Sequence, residues 1–149
     1  MICEVQFDSI FIDIRDLVTP AAASIRELTE PLASLSDDEF TDKCHTFVAN
    51  AKYRILEGMM FPSQALAHIA YNQPLDCVPR SLLLASLLRT RFPPSDVRVV
   101  FGILLDHGRQ KHAWVELDDK ILESTRKAKF DVGYGMYCPE LRFNDIEVL

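Results

Sequence analysis

No stretch of this chain approaches the roughly 20 consecutive apolar residues that a bilayer-spanning helix needs. Its start, Met1-Ile2-Cys3-Glu4-Val5-Gln6, lacks the basic opening and apolar core of a secretion signal. A cytoplasmic protein with no membrane partner is therefore the expectation. A basic excess is missing too: 16 Lys and Arg stand against 22 Asp and Glu, a net charge of -6, so no nucleic-acid partner is expected. There is no C-x-x-C pair. The four cysteines (Cys3, Cys44, Cys77, Cys138) lie far apart, which argues against a zinc site or a thioredoxin-like motif. No metal and no organic cofactor is called for. No repeat or low-complexity linker divides the 149 residues, and 48% hydrophobic content suits a single domain over residues 1–149.

What is present begins with loose alternation over residues 4–17 (Val5, Phe7, then Ile10, Phe11, Ile12 and Ile14), which predicts one or two short strands. Thr19-Pro20 predicts a short helix over Ala21–Leu28 with proline at its first position, closed by Pro31. Ser36-Asp37-Asp38-Glu39 is a capping-box sequence with an acidic first turn. Phe40, Cys44, Phe47, Val48, Ala51 and Ile55 then share a helical face, with Gly58 as the stop. On this pattern Cys44 is core and His45 lies on the surface. Pro62–Tyr71 reads as another short helix, and Asn72-Gln73-Pro74 as the turn that follows.

That turn delivers the chain to Asp76-Cys77-Val78-Pro79-Arg80-Ser81-Leu82-Leu83-Leu84-Ala85-Ser86-Leu87-Leu88-Arg89. Pro79 fits a first helical turn, and Asp76 is a suitable N-cap. The leucine run has no polar face, so the helix should be buried. A thiol at the N-terminus of such a helix feels the positive end of the dipole, which favours the nucleophilic thiolate. An inert packing cysteine is the competing reading of the same pattern.

Beyond Pro93-Pro94 the period changes. Val97–Leu105, Lys111–Leu117 and Lys120–Thr125 predict three strands, the last two joined by a two-residue turn at Asp118-Asp119. Asp145–Leu149 suggests an edge strand, and Gly133-Tyr134-Gly135 an irregular loop. The hairpin fixes a register. Leu117 faces Lys120, Trp114 faces Glu123, and His112 and Glu123 become diagonal neighbours with Cβ atoms roughly 7 Å apart. Glu123 would then orient the His112 imidazole, whose other nitrogen serves the Cys77 thiol: nucleophile, base and orienter. Trp114 packs in the core or roofs this site. His68 and His107 have no partner at informative spacing.

Asp76-Cys77, His112-Ala113-Trp114-Val115-Glu116 and Ile121-Leu122-Glu123-Ser124-Thr125 resemble the transglutaminase-like superfamily, which shares the papain-type architecture. Within it, Cys77-Val78-Pro79-Arg80-Ser81-Leu82 together with the His112 motif is similar to the leader-peptide proteases of lasso-peptide maturation. The resemblance covers about residues 36–125, which it marks as the core of the single domain. It implies an α+β fold, with N-terminal helices and a buried central helix packed on an antiparallel sheet. It implies a cysteine protease or amidase acting on a peptide or protein through Cys77, His112 and Glu123. A glutamine transamidase and an inactive protein-binding module remain as alternatives. The sequence departs from the superfamily in having Glu123 for the usual Asp and Leu75 for the usual Gly. The Cys77 N–H is the expected first oxyanion donor. Gln73, Asn72 and Trp114 are further candidates for oxyanion or substrate binding.

Overall fold

The computed structural model describes residues 4–7, 10–54, 59–105, 108–125 and 136–149. Ile55, Gly58, His107 and the Gly133–Gly135 loop lie outside the described residues. The chain opens with β1 (Glu4–Phe7) and β2 (Ile10–Asp13), paired antiparallel as a separate two-stranded ribbon. A 3-10 turn (Ile14–Leu17) follows, then α1 (Ala23–Thr29). Pro20 was expected at the first helical position, but the N-cap is Ala22 and Pro20 sits in the preceding turn. The helix itself ends at Thr29, closed as expected by Pro31. It lies inside a further 3-10 turn (Glu30–Leu32), whose first positions tolerate a residue without N–H.

The second helix, α2 (Asp37–Ala49), starts where the capping sequence predicts. Ser36 Oγ accepts the Glu39 N–H at 3.2 Å and donates to the Glu39 carboxylate at 2.9 Å. It ends earlier than the apolar periodicity suggests. Another helix reaches this end: the Arg80 side chain donates to the carbonyls of Val48, Ala49 and Ala51. The chain then leaves the helix axis, and Tyr53 bridges Leu75, whose N–H donates to Lys52 O at 2.8 Å. His45, expected on the surface, is buried at 2% exposure, because the α2 face beside Cys44 is also covered.

Next come α3 (Pro62–Ala70) and a turn in which Asn72 adopts a positive φ of 56°, a conformation asparagine tolerates better than most residues. Asp76 caps α4 (Cys77–Arg89), and every residue from Pro79 to Leu88 is buried. Leu82, Leu83, Leu84, Leu87 and Leu88 form the centre of the core. They join Phe40, Cys44 and Val48 of α2, Ile25 of α1, and Val97, Val99, Val115, Leu122 and Phe143 from the sheet. A helix apolar on all sides is stable only when surrounded in this way.

The main sheet has four antiparallel strands in the order β5-β4-β3-β6. They are β3 (Val97–Leu105), β4 (Arg109–Leu117), β5 (Lys120–Leu122) and β6 (Met136–Phe143). Asp118 and Asp119 both have positive φ, 49° and 65°, as a type I′ hairpin turn requires. The predicted register follows: Leu117 faces Lys120, Glu116 faces Ile121 and Val115 faces Leu122. The third strand is shorter than expected, because pairing ends at Leu122 and Glu123–Thr125 turn off the ladder. The far edge also differs. Residues 145–149 contribute one isolated bridge, Val148 to Phe143, and the true edge strand is β6. Pro139 and Glu140 disguise β6 in the sequence. Proline is tolerated there because an edge strand leaves N–H positions unpaired, and the register shifts at Phe101/Gly102 opposite it.

Candidate active site

Cys77 is the first residue of α4 and is 8% exposed. Its N–H donates to Asp76 Oδ1 at 2.6 Å. The expected oxyanion donor is thus engaged by the carboxylate that caps the same helix. On β4, His112 presents Nε2 to Glu123 Oε2 at 2.9 Å. The structure therefore brings these two side chains together, although Glu123 lies one residue beyond the paired part of the hairpin. That contact leaves Nδ1 as the other ring nitrogen, and Cys77 lies near enough to His112 to favour its charged form.

Burial is the largest influence on His112 and favours the neutral ring. It is overcome by the hydrogen bonds to Cys77 and Glu123 and by their charges, which raise the imidazole from 6.5 to about 9. Burial is also the largest influence on Glu123 and pushes it up. His112, Thr125 and Tyr137 overcome it and lower the carboxyl to about 2. Glu123 has no exposed surface. Its Oε1 accepts from Thr125 Oγ1 at 2.7 Å and Thr125 N at 3.2 Å, and its Oε2 accepts from Tyr137 Oη at 2.8 Å. A buried carboxylate supplied with this many donors stays ionised and holds the imidazole by a charge-assisted bond.

The rings form one cluster. Trp114 stacks on His112 with centroids 6.1 Å apart, and Tyr137 meets Trp114 edge-on at 4.9 Å. Trp114 is fully buried, and its Nε1 has no hydrogen-bond partner among the described residues. It is the platform of the imidazole. Asn72 and Gln73 line a cavity of about 220 Å³ with Phe47, Asn50, Ala51, Lys52 and Ile69. Gln73 Nε2 reaches Tyr71 O at 3.5 Å. No group of three or more metal-ligating side chains occurs among the described residues.

Several residues around this site escape a reading of the sequence. Tyr137 arrives from β6, a strand with no clear alternation. His45 Nε2 lies 2.8 Å from Glu123 O, pinning the main chain that carries the acid. Arg80 is almost wholly buried and ties the same segment through Ser124 O at 3.1 Å. Only Arg80 carried a signal, a charge three residues after Cys77 in a helix with no polar face.

Helices packed against an antiparallel sheet, with a helix-terminal cysteine near a strand histidine that bonds an acid, resemble the papain/transglutaminase-like arrangement. The model of the transglutaminase-like superfamily matches residues 59–134, and the chain belongs to that superfamily. Among solved structures it is similar to Legionella pneumophila LapG in an EGTA-treated form, with a TM-score of 0.64 and 15% identity over 84% of this chain and 73% of that one. At that identity the likeness is one of fold. No curated protein matches in sequence. No helix among the described residues is long and apolar enough to cross a membrane.

Proposed function

We propose that the protein is a cysteine protease or amidase that cleaves a peptide or amide bond through Cys77, His112 and Glu123. One observation carries the reading: His112 stands between a helix-terminal thiol and a fully buried, ionised Glu123. Cys77 Sγ, as thiolate, attacks the carbonyl carbon, and the carbonyl π electrons move to oxygen. As the tetrahedral intermediate collapses, the C–N bond breaks and the His112 imidazolium gives its proton to the leaving amine. Water then attacks the thioester with His112 as base. The acid product leaves, and the thiolate–imidazolium pair is restored. Glu123 keeps the ring in one orientation through both steps.

The motif likeness to leader-peptide proteases favours a peptide substrate matured by a single cut. The test is incubation with an electrophilic peptide, read by intact mass. One adduct on Cys77 is expected, absent from Cys77→Ala and from His112→Ala. No adduct on the native chain, in a sample shown to be folded, sinks the proposal. Adding a labelled primary amine to a glutamine peptide separates transamidation from hydrolysis, since only transamidation leaves label on the peptide.

A further inference from the structure

Arg80 is the third residue after Cys77 on α4 and is 1% exposed. A buried guanidinium is always charged, and by itself it is costly. No carboxylate among the described residues pairs with it directly. It is held by main-chain carbonyls: Nε donates to Leu75 O at 3.0 Å, Nη1 to Ser124 O at 3.1 Å and Val48 O at 3.4 Å, and Nη2 to Ala51 O. Its carbon Cζ lies 5.3 Å from the centre of the Tyr53 ring. One side chain therefore clamps three segments: the end of α2, the residue two before Cys77, and the residue after Glu123.

The position is unusual electrostatically. The N-terminal end of a helix is already positive, so a cation there is disfavoured by the dipole. Purely structural needs at these carbonyls are met by neutral donors such as asparagine or water at far lower desolvation cost. What the charge adds is a field. Burial opposes the charge of Arg80, while Tyr53, Asp76, Cys77 and Glu123 all favour it. The anionic forms of these same groups gain from its presence in return.

We infer that Arg80 is the positioning residue of this site: its fork fixes the Cys77 and Glu123 segments to each other, and its fixed charge sustains the Cys77 thiolate. The inference rests on the proposed thiol chemistry and extends it. The titratable groups that bear on Cys77 are His112 from β4, Glu123 beyond β5, Asp76 and Tyr53 on the approach, and Arg80 itself. His45 of α2 faces the Glu123 main chain. Of the cations among them, Arg80 keeps its charge through pH 9, where His112 loses its own.

The experiment compares native protein, Arg80→Lys and Arg80→Gln, each checked for cooperative melting. Iodoacetamide labelling of the Cys77 peptide is followed by mass spectrometry at about pH 6 and about pH 9. Lysine keeps the charge and loses the fork, whereas glutamine keeps a donor and loses the charge. Arg80→Gln is expected to lose about tenfold in the pH 6 rate relative to the pH 9 rate, and Arg80→Lys to stay within about threefold of native. An unchanged ratio in Arg80→Gln overturns the inference, as does a loss that follows melting temperature rather than charge. If Arg80→Gln does not fold, Arg80→Lys decides: a retained ratio supports the inference and a tenfold loss overturns it. A native protein with no labelling at pH 6 defeats the activation of Cys77 as a whole, whereas a reactive native protein with an indifferent Arg80→Gln defeats the role of Arg80 only.

Discussion

The two ends of α4 each carry a partly or wholly buried arginine, and the two are held in opposite ways. At the C-terminal end Arg89 makes a two-pronged pair with Asp145, at 2.7 and 2.9 Å, and donates to Phe92 O at 2.7 Å. Its charge is neutralised, and the helix dipole welcomes it there. At the N-terminal end Arg80 has carbonyls for partners, and the dipole opposes it. The first arrangement is what stability favours. The second stands beside a thiol and a buried carboxylate, where, on the inference above, a fixed positive charge supports the chemistry. One residue type on one helix thus separates fastening from function.

The widest separation should come from the site itself. Cys77→Ala is expected to abolish adduct formation and turnover while leaving the fold intact. Glu123→Gln should lower turnover by orders of magnitude, as removal of an orienting carboxylate does elsewhere. Its signature is spectroscopic. The His112 imidazole, at about 9 in the native protein, should fall toward its ordinary 6.5 when titrated by NMR. A titration that stays put would mean that Glu123 is not the group holding the ring.

The opposite end should answer only in stability. Arg89→Ala strands a largely buried Asp145 and is expected to cost about 3 kcal/mol in urea unfolding. Cys77 labelling should keep its native pH dependence. If labelling changes as well, the two ends are coupled and the contrast fails.

Acidity gives a further test, with its sign set by the site. Glu123 is lowered from 4.5 to about 2, so its contribution is complete above pH 4.5 and is lost as pH falls toward 2. His112 is raised from 6.5 to about 9, so its contribution is complete below pH 6.5 and is lost as pH rises through 9. Melting temperature should therefore peak between about pH 4.5 and 6.5, and Glu123→Gln should flatten both flanks. Equal slopes in native and variant proteins would show that this pair does not govern the profile.

Smaller effects sharpen the picture. A Cβ at Gly102 would overlap the Cys138 carbonyl oxygen and stand 2.8 Å from Trp114 Cη2. Gly102→Ala should cost about 1–3 kcal/mol and slow labelling, because Trp114 supports His112. Ser36→Ala removes the α2 cap, is expected to cost about 1 kcal/mol, and should leave labelling alone.

What could be read from residues alone follows from how local each cause is. The start of α4 is written in Asp76 and Pro79, and the β4–β5 register in a two-residue turn with alternating flanks. His112 lies on that hairpin and Glu123 follows directly after it, so their meeting is close to a local consequence of the turn. The end of α2 was not legible, because the side chain that meets it, Arg80, comes about 30 residues later in the chain. His45 looked like a surface residue for the same reason: its partner is the main chain of Glu123, 78 residues on. Tyr137 lies on a strand whose proline and charges obscure its pairing, and it becomes visible only once β6 is seen beside β3.

Tyr137 has a consequence for how the protein is made. When the ribosome has delivered the thiol, the imidazole and the acid, the last strand of the sheet is still missing, and with it one of the donors that Glu123 needs. The carboxylate can settle into its finished surroundings only after β6 docks. On the proposed chemistry, a nascent or truncated chain would lack that donor, and with it part of its reactivity, until the sheet closes.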